Sequence, residues 1–276
     1  PTAIAMEKIL KQPVIVVNRP GAGGAVGNAQ IGKGGTDGYN ILMALSSISV
    51  IPEAERACGR AAPYELTQFT PIALISADPT VLAVRSESPY RSPRDVAEAA
   101  RKAPEKLSYS SSGIYGALHM PIAMFEAAAG IKMLHVPYSG GGPAVTALVG
   151  GQVDMTAGGP SALVGQIRGG RLRPLASWGT ARLAALPEVP TFKELGYDLS
   201  ATAWYGLFAP AGTPPAVIER LSKAAMDTVS DPQLNKRLLE MGLEPTGLGP
   251  DRLAAIMKAD YERWGPPIRA SGFKPD

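Results

Sequence analysis

The chain has 276 residues, enough for two domains of ordinary size, each with its own buried core. It is 45% hydrophobic and 18% charged, globular in composition, and its 27 Lys and Arg are scattered against 24 Asp and Glu, so the formal charge of +3 forms no basic run that would seat nucleic acid or a membrane surface. One cysteine, Cys58, excludes an internal disulfide, two histidines (His119 and His135) with no second thiol give no zinc site, and no run of about 18 apolar residues spans a membrane.

Ile4, Ile9 and Leu10 recur at helical spacing, so the chain opens inside a helix, and a strand is expected ahead of it. Val14–Val17 (VIVV) is a continuous apolar run suited to a buried parallel strand. Arg19–Gly27 (RPGAGGAVG) follows and opens a helix of small residues. The third glycine of a G-x-G-x-x-G motif would fall on Val26, and no acidic residue ends a strand about 20 residues on, so the segment reads as a packing turn, not a dinucleotide site. Ile41–Leu45 is the next strand, with Ser46 and Ser47 at its end. Ile72–Ile75 and Val81–Val84 are further strands, and the first domain crossing is expected near Ala83. Ser92, Pro93 and Asp95 then open a helix to about Lys102 with a capping box and proline at the first helical position.

The centre of the chain repeats one grammar three times. Leu107–Ser110 reads as a strand end, Ser111, Ser112 and Gly113 as a turn, and a helix opens near Gly116. Leu134–Tyr138, Ser139–Pro143 and Ala144–Val149 repeat it, as do Gln152–Thr156, Ala157–Ser161 and Ala162–Ile167. Three such units argue for an α/β sheet whose loops gather at the carboxyl ends of the strands. A helix start leaves unpaired N–H donors and a partial positive charge, which favour a carboxylate or phosphate, and serine hydroxyls add donors without adding charge. For one segment alone a serine-capped helix is the better reading; the repetition points to binding.

Leu172–Ser177 is a strand, and Arg168, Arg171 and Arg173 around it read as a solvated surface turn. Ala203–Pro210 is an aromatic-rich strand on which the chain recrosses. Pro214–Val229, amphipathic through Val217, Ile218, Leu221 and Ala225, belongs with the first domain. Asp231–Met241 is a helix capped by Asp231 and closed by Gly242, Leu243–Thr246 pairs at a sheet edge, and Pro250–Trp264 is a last helix that Pro266 and Pro267 should break or kink.

Catalytic sets are missing. A serine hydrolase needs a histidine base in a loop, but His119 falls in a helix start and His135 in a strand, and neither G-x-S-x-G nor a G-K-[ST] glycine loop occurs. Loops of serine, glycine and tyrosine with hardly a charge bind an anion through neutral donors and supply no acid, base or nucleophile. That is the profile of a binding protein, with no cofactor indicated.

Pro13–Gly24 (PVIVVNRPGAGG), Thr36–Tyr39 (TDGY), Leu107–His119, His135–Ala144 (HVPYSGGGPA), Gly150–Asp154 (GGQVD), Leu186–Thr191 (LPEVPT) and Trp204–Pro215 (WYGLFAPAGTPP) together resemble the Bug family, the periplasmic solute-binding receptors of tripartite tricarboxylate transporters. The resemblance covers nearly the whole chain. It implies an α/β, two-lobed periplasmic-binding-protein-like fold of type II, with residues 1–83 and 209–276 in one lobe, 84–208 in the other, and two crossing strands as the hinge. It further implies a monomeric, non-enzymatic receptor in the periplasm, with no signal peptide in this sequence, that closes on a carboxylated small molecule, a dicarboxylate, and delivers it to the membrane subunits of the transporter. Ligand contacts carried over are Ser46 and Ser47; Ser111, Ser112, Gly113, Ile114 and Tyr115; Tyr138 and Ser139; and Ala157, Gly158 and Gly159.

There are two departures. Members usually begin with a strand and a P-x-G-G-type loop, and this chain starts after them. Members often carry an Asp-Asn pair where this chain has Gly158 and Gly159, which would clear side chains from the pocket wall and suit a longer or bulkier diacid. The competing readings are a sensor subunit that reports the same ligand to a kinase and a nucleotide-dependent α/β enzyme.

Overall fold

A computed structural model describes residues 1–271, and its elements alternate along the chain. Helices α1 (Thr2–Leu10) and α2 (Ala25–Gly32) lead to strand β1 (Leu42–Leu45), helix α3 (Ser47–Ala57) and strands β2 (Phe69–Pro79) and β3 (Val81–Arg85). Next come α4 (Pro93–Lys102), β4 (Ser108–Ser111), α5 (Met120–Ala129), β5 (Leu134–Pro137), α6 (Gly141–Val149), β6 (Met155–Gly158), α7 (Pro160–Arg168) and β7 (Leu172–Ser177). The chain closes with β8 (Thr202–Pro210), α8 (Pro215–Ser230), α9 (Pro232–Glu240), β9 (Pro245–Leu248) and α10 (Pro250–Ser271). They form two compact units: Pro1–Ala77 with Trp204–Leu239 and the chain from Glu244 on, and Asp78–Ala203 with Glu240–Leu243. The first change of unit falls at Ala77, ahead of the expected Ala83, because β3 is paired on both sides inside the second unit's sheet.

In the first unit the strand order is β1-β8-β2-β9, with β1 antiparallel to β8 and β9 an antiparallel edge strand on β2. Alternation along β8 divides its side chains between two faces. Leu207 and Ala209 join Met6, Ile72, Ile75, Leu221, Ala225 and Val229 under α1 and α8. Phe208, one step out of phase, meets Phe69 edge-on at 6.2 Å between ring centres. Trp204 Nε1 donates to Asp260 Oδ2 at 2.6 Å, tying β8 to α10.

Two expectations fail in this unit. Val14–Val17 forms no strand, and Ile15, Val16 and Val17 stand 81%, 69% and 63% exposed, because no strand among the described residues pairs with the run. Periodicity supplies the apolar pattern of a strand but not its neighbour. The last helix is continuous through Pro266 and Pro267, so of the expected break or kink the break does not occur. Trp264 and Ile268, one turn apart and both buried, hold the segment across the prolines.

The second unit's sheet has the order β5-β4-β6-β3-β7, with β4 parallel to β5 and β6, and β3 antiparallel to β6 and β7. Both faces of β3 are covered. Leu82 and Val84 pack with Val96, Ile122, Phe125, Trp178 and Phe192, while Val81 and Ala83 pack with Val145, Leu148, Leu163 and Val164. The first group comes largely from α4 and α5, the second from α6 and α7, so a strand with no polar alternation is what the position demands. Arg173 is not a solvated residue: its guanidinium donates to the carbonyls of Ser88 at 2.9 Å, Tyr90 at 3.1 Å and Ser86, closing the turn after β3.

Candidate functional site

The three repeated segments come together because their strands are parallel neighbours. Ser110 pairs with Val136 and Thr156, Ser111 pairs with Pro137, and Tyr138 N–H donates to Ser111 O at 3.0 Å. The loops after β4, β5 and β6 therefore share one end of the sheet and lead into α5, α6 and α7. None of these three helices has a side-chain cap at its N-terminus. Three helix starts with partial positive charge and no carboxylate or hydroxyl bound to them favour an anion at this end.

Ser111 is the last residue of β4 and fully buried, its Oγ 2.7 Å from His135 Nε2 and accepting from Gly113 N–H at 3.2 Å. Ser112 and Ile114 are half-buried between buried Gly113, at φ 125°, and buried Tyr115, a non-glycine residue at φ 56°. Helix α5 starts at Met120 instead of near Gly116, because a pair of turns, Gly116 N–H to Gly113 O and His119 N–H to Gly116 O, intervenes. Ser139 is exposed. Tyr138 is half-buried against the cluster under α6 and α7, with its hydroxyl 3.3 Å from Gln152 Oε1.

Strand β6 lies two to three residues later than expected, so Ala157 and Gly158 are strand residues and only Gly159 lies between strand and helix. A Cβ built on Gly158 would come within 2.7 Å of Leu163 Cδ1. The missing side chain at Gly158 thus makes room for α7 and not for a ligand, which removes half of the argument for a widened pocket.

Ser46 and Ser47 belong to the first unit, at the start of α3, both buried; Ser47 Oγ donates to Gly23 O at 2.9 Å. That bond ties α3 to the Arg19–Gly27 segment.

Sequence reasoning missed Ser110 and Thr156. Ser110 Oγ donates to Ala144 O at 2.9 Å and Thr156 Oγ1 to Ser110 O at 3.0 Å, both fully buried, fixing the first turn of α6 and the middle of β6 to β4. A hydroxyl in the middle of each strand was the available signal.

The charges near this sheet sit elsewhere. Asp154 Oδ2 accepts from Ser108 N–H at 2.8 Å and Ser108 Oγ at 2.9 Å, at the opposite ends of β4 and β6. Burial, together with the neighbouring imidazole of His135, holds His119 far below the usual histidine range, at about 3, and burial holds His135 at about 4. Both rings are neutral near pH 7. Burial also raises the Glu126 carboxyl to about 6, against the lowering effect of the Met133 N–H and the Tyr109 hydroxyl. Among the described residues no group of three His, Cys, Asp or Glu could hold a metal. The loops can present N–H and O–H donors to an anion.

A family model described as the tripartite tricarboxylate transporter family receptor matches residues 2–273. The chain belongs to this family. Among its relatives, a Pseudomonas sp. protein from the tcbD-tcbE intergenic region is 35% identical over 264 residues, covering 94% of this chain and 77% of that protein. BugT of Bordetella pertussis is 29% identical, covering 99% of this chain and 83% of BugT. Among solved structures, the periplasmic binding protein BugD matches with a TM-score of 0.93 at 30% identity, over 100% of this chain and 92% of BugD. An R. palustris protein with adipate matches at 0.92 and 27%, over 100% and 92%, and MatC from Rhodopseudomonas palustris with bound malate at 0.90 and 26%, over 97% and 92%. The Bug-type resemblance and the expected α/β periplasmic-binding-protein fold therefore hold, and this family member is a solute-binding receptor and not an enzyme. No helix among the receptor's described residues is long and apolar enough to cross a membrane.

Proposed function

We propose that this receptor acts in the periplasm, binds a small dicarboxylate through the neutral loops after β4, β5 and β6, and hands it to the membrane subunits of a tripartite transporter. The observation that carries the reading is the meeting of three helix starts without side-chain caps at a sheet end whose loops hold no charged side chain. Such an end compensates a carboxylate by N–H donors and helix dipoles without a salt bridge. The relatives solved with adipate and malate support the ligand class.

Calorimetric titration with mono-, di- and tricarboxylates of graded length, malate and adipate among them, tests it. Saturable binding of a diacid without its conversion is expected. Ser112→Ala should weaken that binding by about 1.5–3 kcal/mol, the net effect of a hydrogen bond to a charged group, with the thermal midpoint kept. Silence of the folded protein across the whole panel, or tight binding of aspartate with none of the longer diacids, overturns the reading.

A further inference from the structure

Under the Ser111–Tyr115 loop lie three nearly parallel rings that the binding role does not use. His135 from β5 stacks on Tyr109 from β4 at 4.9 Å and 16°, and on His119, just ahead of α5, at 4.2 Å and 11°. The two imidazoles hold the two ends of the loop. His135 Nε2 is 2.7 Å from Ser111 Oγ, which also accepts the Gly113 N–H. His119 Nδ1 accepts the Tyr115 N–H at 3.0 Å, at the one residue of the loop that is held in the left-handed region without being glycine. Tyr109 in turn donates its hydroxyl to Glu126 Oε2 at 3.2 Å, which fixes the stack to α5. Only Ser112 and Ile114, between the two anchors, keep exposed surface.

We infer that His119 and His135 are positioning residues, a neutral imidazole pair that sets the backbone of Ser111–Tyr115 so that its donors meet a ligand carboxylate without rearrangement. The effect on affinity rests on the receptor reading above, whereas the ordering of the loop exists without ligand. It follows that Ser111 works through the loop's shape and not by touching ligand. The pair acts only while neutral. An acceptor at His119 Nδ1 requires that nitrogen unprotonated, with the ring proton on Nε2, and burial together with the stacked neighbour opposes any added charge. The titratable groups facing the rings are Tyr109 from β4, Tyr115 from the loop, the other imidazole, and Glu126 from α5 through the Tyr109 hydroxyl.

The test is amide hydrogen exchange of the ligand-free protein beside titration with adipate and malate. In His119→Ala the Tyr115 amide should exchange about tenfold faster, the loss of one net hydrogen bond, with the protection of Leu82, Val84 and Leu148 kept. His119→Gln, whose side-chain oxygen can accept the same N–H, should restore most of it, and His135→Asn should loosen Gly113 instead. In the wild type, protection at Gly113–Tyr115 should fall as pH drops from about 6.5 toward the folded values of about 4 and 3, before the core opens, a profile that a His119→Gln, His135→Asn double variant lacks. Affinity for the diacid that binds should drop in step with loop protection. Unchanged exchange at Gly113–Tyr115 in both His119→Ala and His135→Asn overturns the inference, and so does a wild-type loop that stays protected until the core unfolds, a readout that stands even where those variants fail to fold. If neither diacid binds wild type while the exchange pattern appears as described, the ligand class is wrong and the positioning role stands.

Discussion

Strand β4 has two serine ends held in opposite ways. At its start, Ser108 is held by the Asp154 carboxylate through two hydrogen bonds; at its end, Ser111 is held by the neutral ring of His135. Either partner could fix a serine. A carboxylate at the far end would, however, face whatever anion the helix starts of α5, α6 and α7 attract, and like charges in such proximity repel by several kcal/mol. The sheet thus keeps its negative charge at the end where only structure is required and closes the other end with groups that carry none.

The largest effect should come from breaking that division. Ser112→Asp places a carboxylate on the loop between the two anchors and should weaken diacid binding about a hundredfold or more at pH 7, by calorimetry, with the fold kept. Retained affinity would falsify the assignment of this loop to the anion. Next, Asp154→Ala removes both bonds to Ser108 and should lower stability by about 2–3 kcal/mol in urea unfolding, since bonds to a charged acceptor contribute about 1.5–3 kcal/mol each and water recovers part of the loss. Its diacid affinity should stay within about twofold; a large affinity loss would mean the two ends are not separable.

The smallest effect is a slope in pH. The two histidines are held far below their unfolded value of 6.5, so their contribution is complete above 6.5 and is lost as pH falls toward their folded values of about 4 and 3. Glu126, raised from 4.5 to about 6, has the opposite sign: its contribution is complete below 4.5 and lost as pH rises through 6. Between about pH 5 and 6 the unfolded chain holds two more protons on histidine and one fewer on Glu126, so this cluster should add about 1.4 kcal/mol of stability per pH unit. Urea midpoints at the two pH values, compared with a His119→Gln, His135→Asn double variant, check the sign. An equal slope in both proteins would mean that the stacked rings titrate normally.

Much of this end of the molecule was legible in the sequence. The Ser-Ser-Gly, Ser-Gly-Gly-Gly and Ala-Gly-Gly-Pro segments each follow a strand-like run and precede a helix, and a parallel sheet must bring such segments to one end. What stayed illegible was direction and partnership. Residue type does not tell that the Ser111 hydroxyl points down to His135 while Ser112 keeps exposed surface, nor that β6 starts at Met155 and takes Ala157 and Gly158 into the strand. For the same reason Val14–Val17 reads as a strand: four apolar β-formers specify an extended chain, but pairing is supplied by another segment. Arg173 looked solvated because its partners, the carbonyls of Ser86, Ser88 and Tyr90, belong to a turn more than eighty residues earlier in the chain.

The absence of a cation from the candidate loops also has an electrical consequence. Two arginines would neutralise a diacid locally, although the net charge of the complex would still fall by two. Held by amides and hydroxyls alone, a dianion has no such counter-charge beside it, so its negative potential stays at the loops while the formal net charge of the protein goes from +3 when empty to +1 when loaded. Loading would then alter the mobility of the whole molecule in an electric field, and a charged surface could sort filled molecules from empty ones before touching the ligand itself.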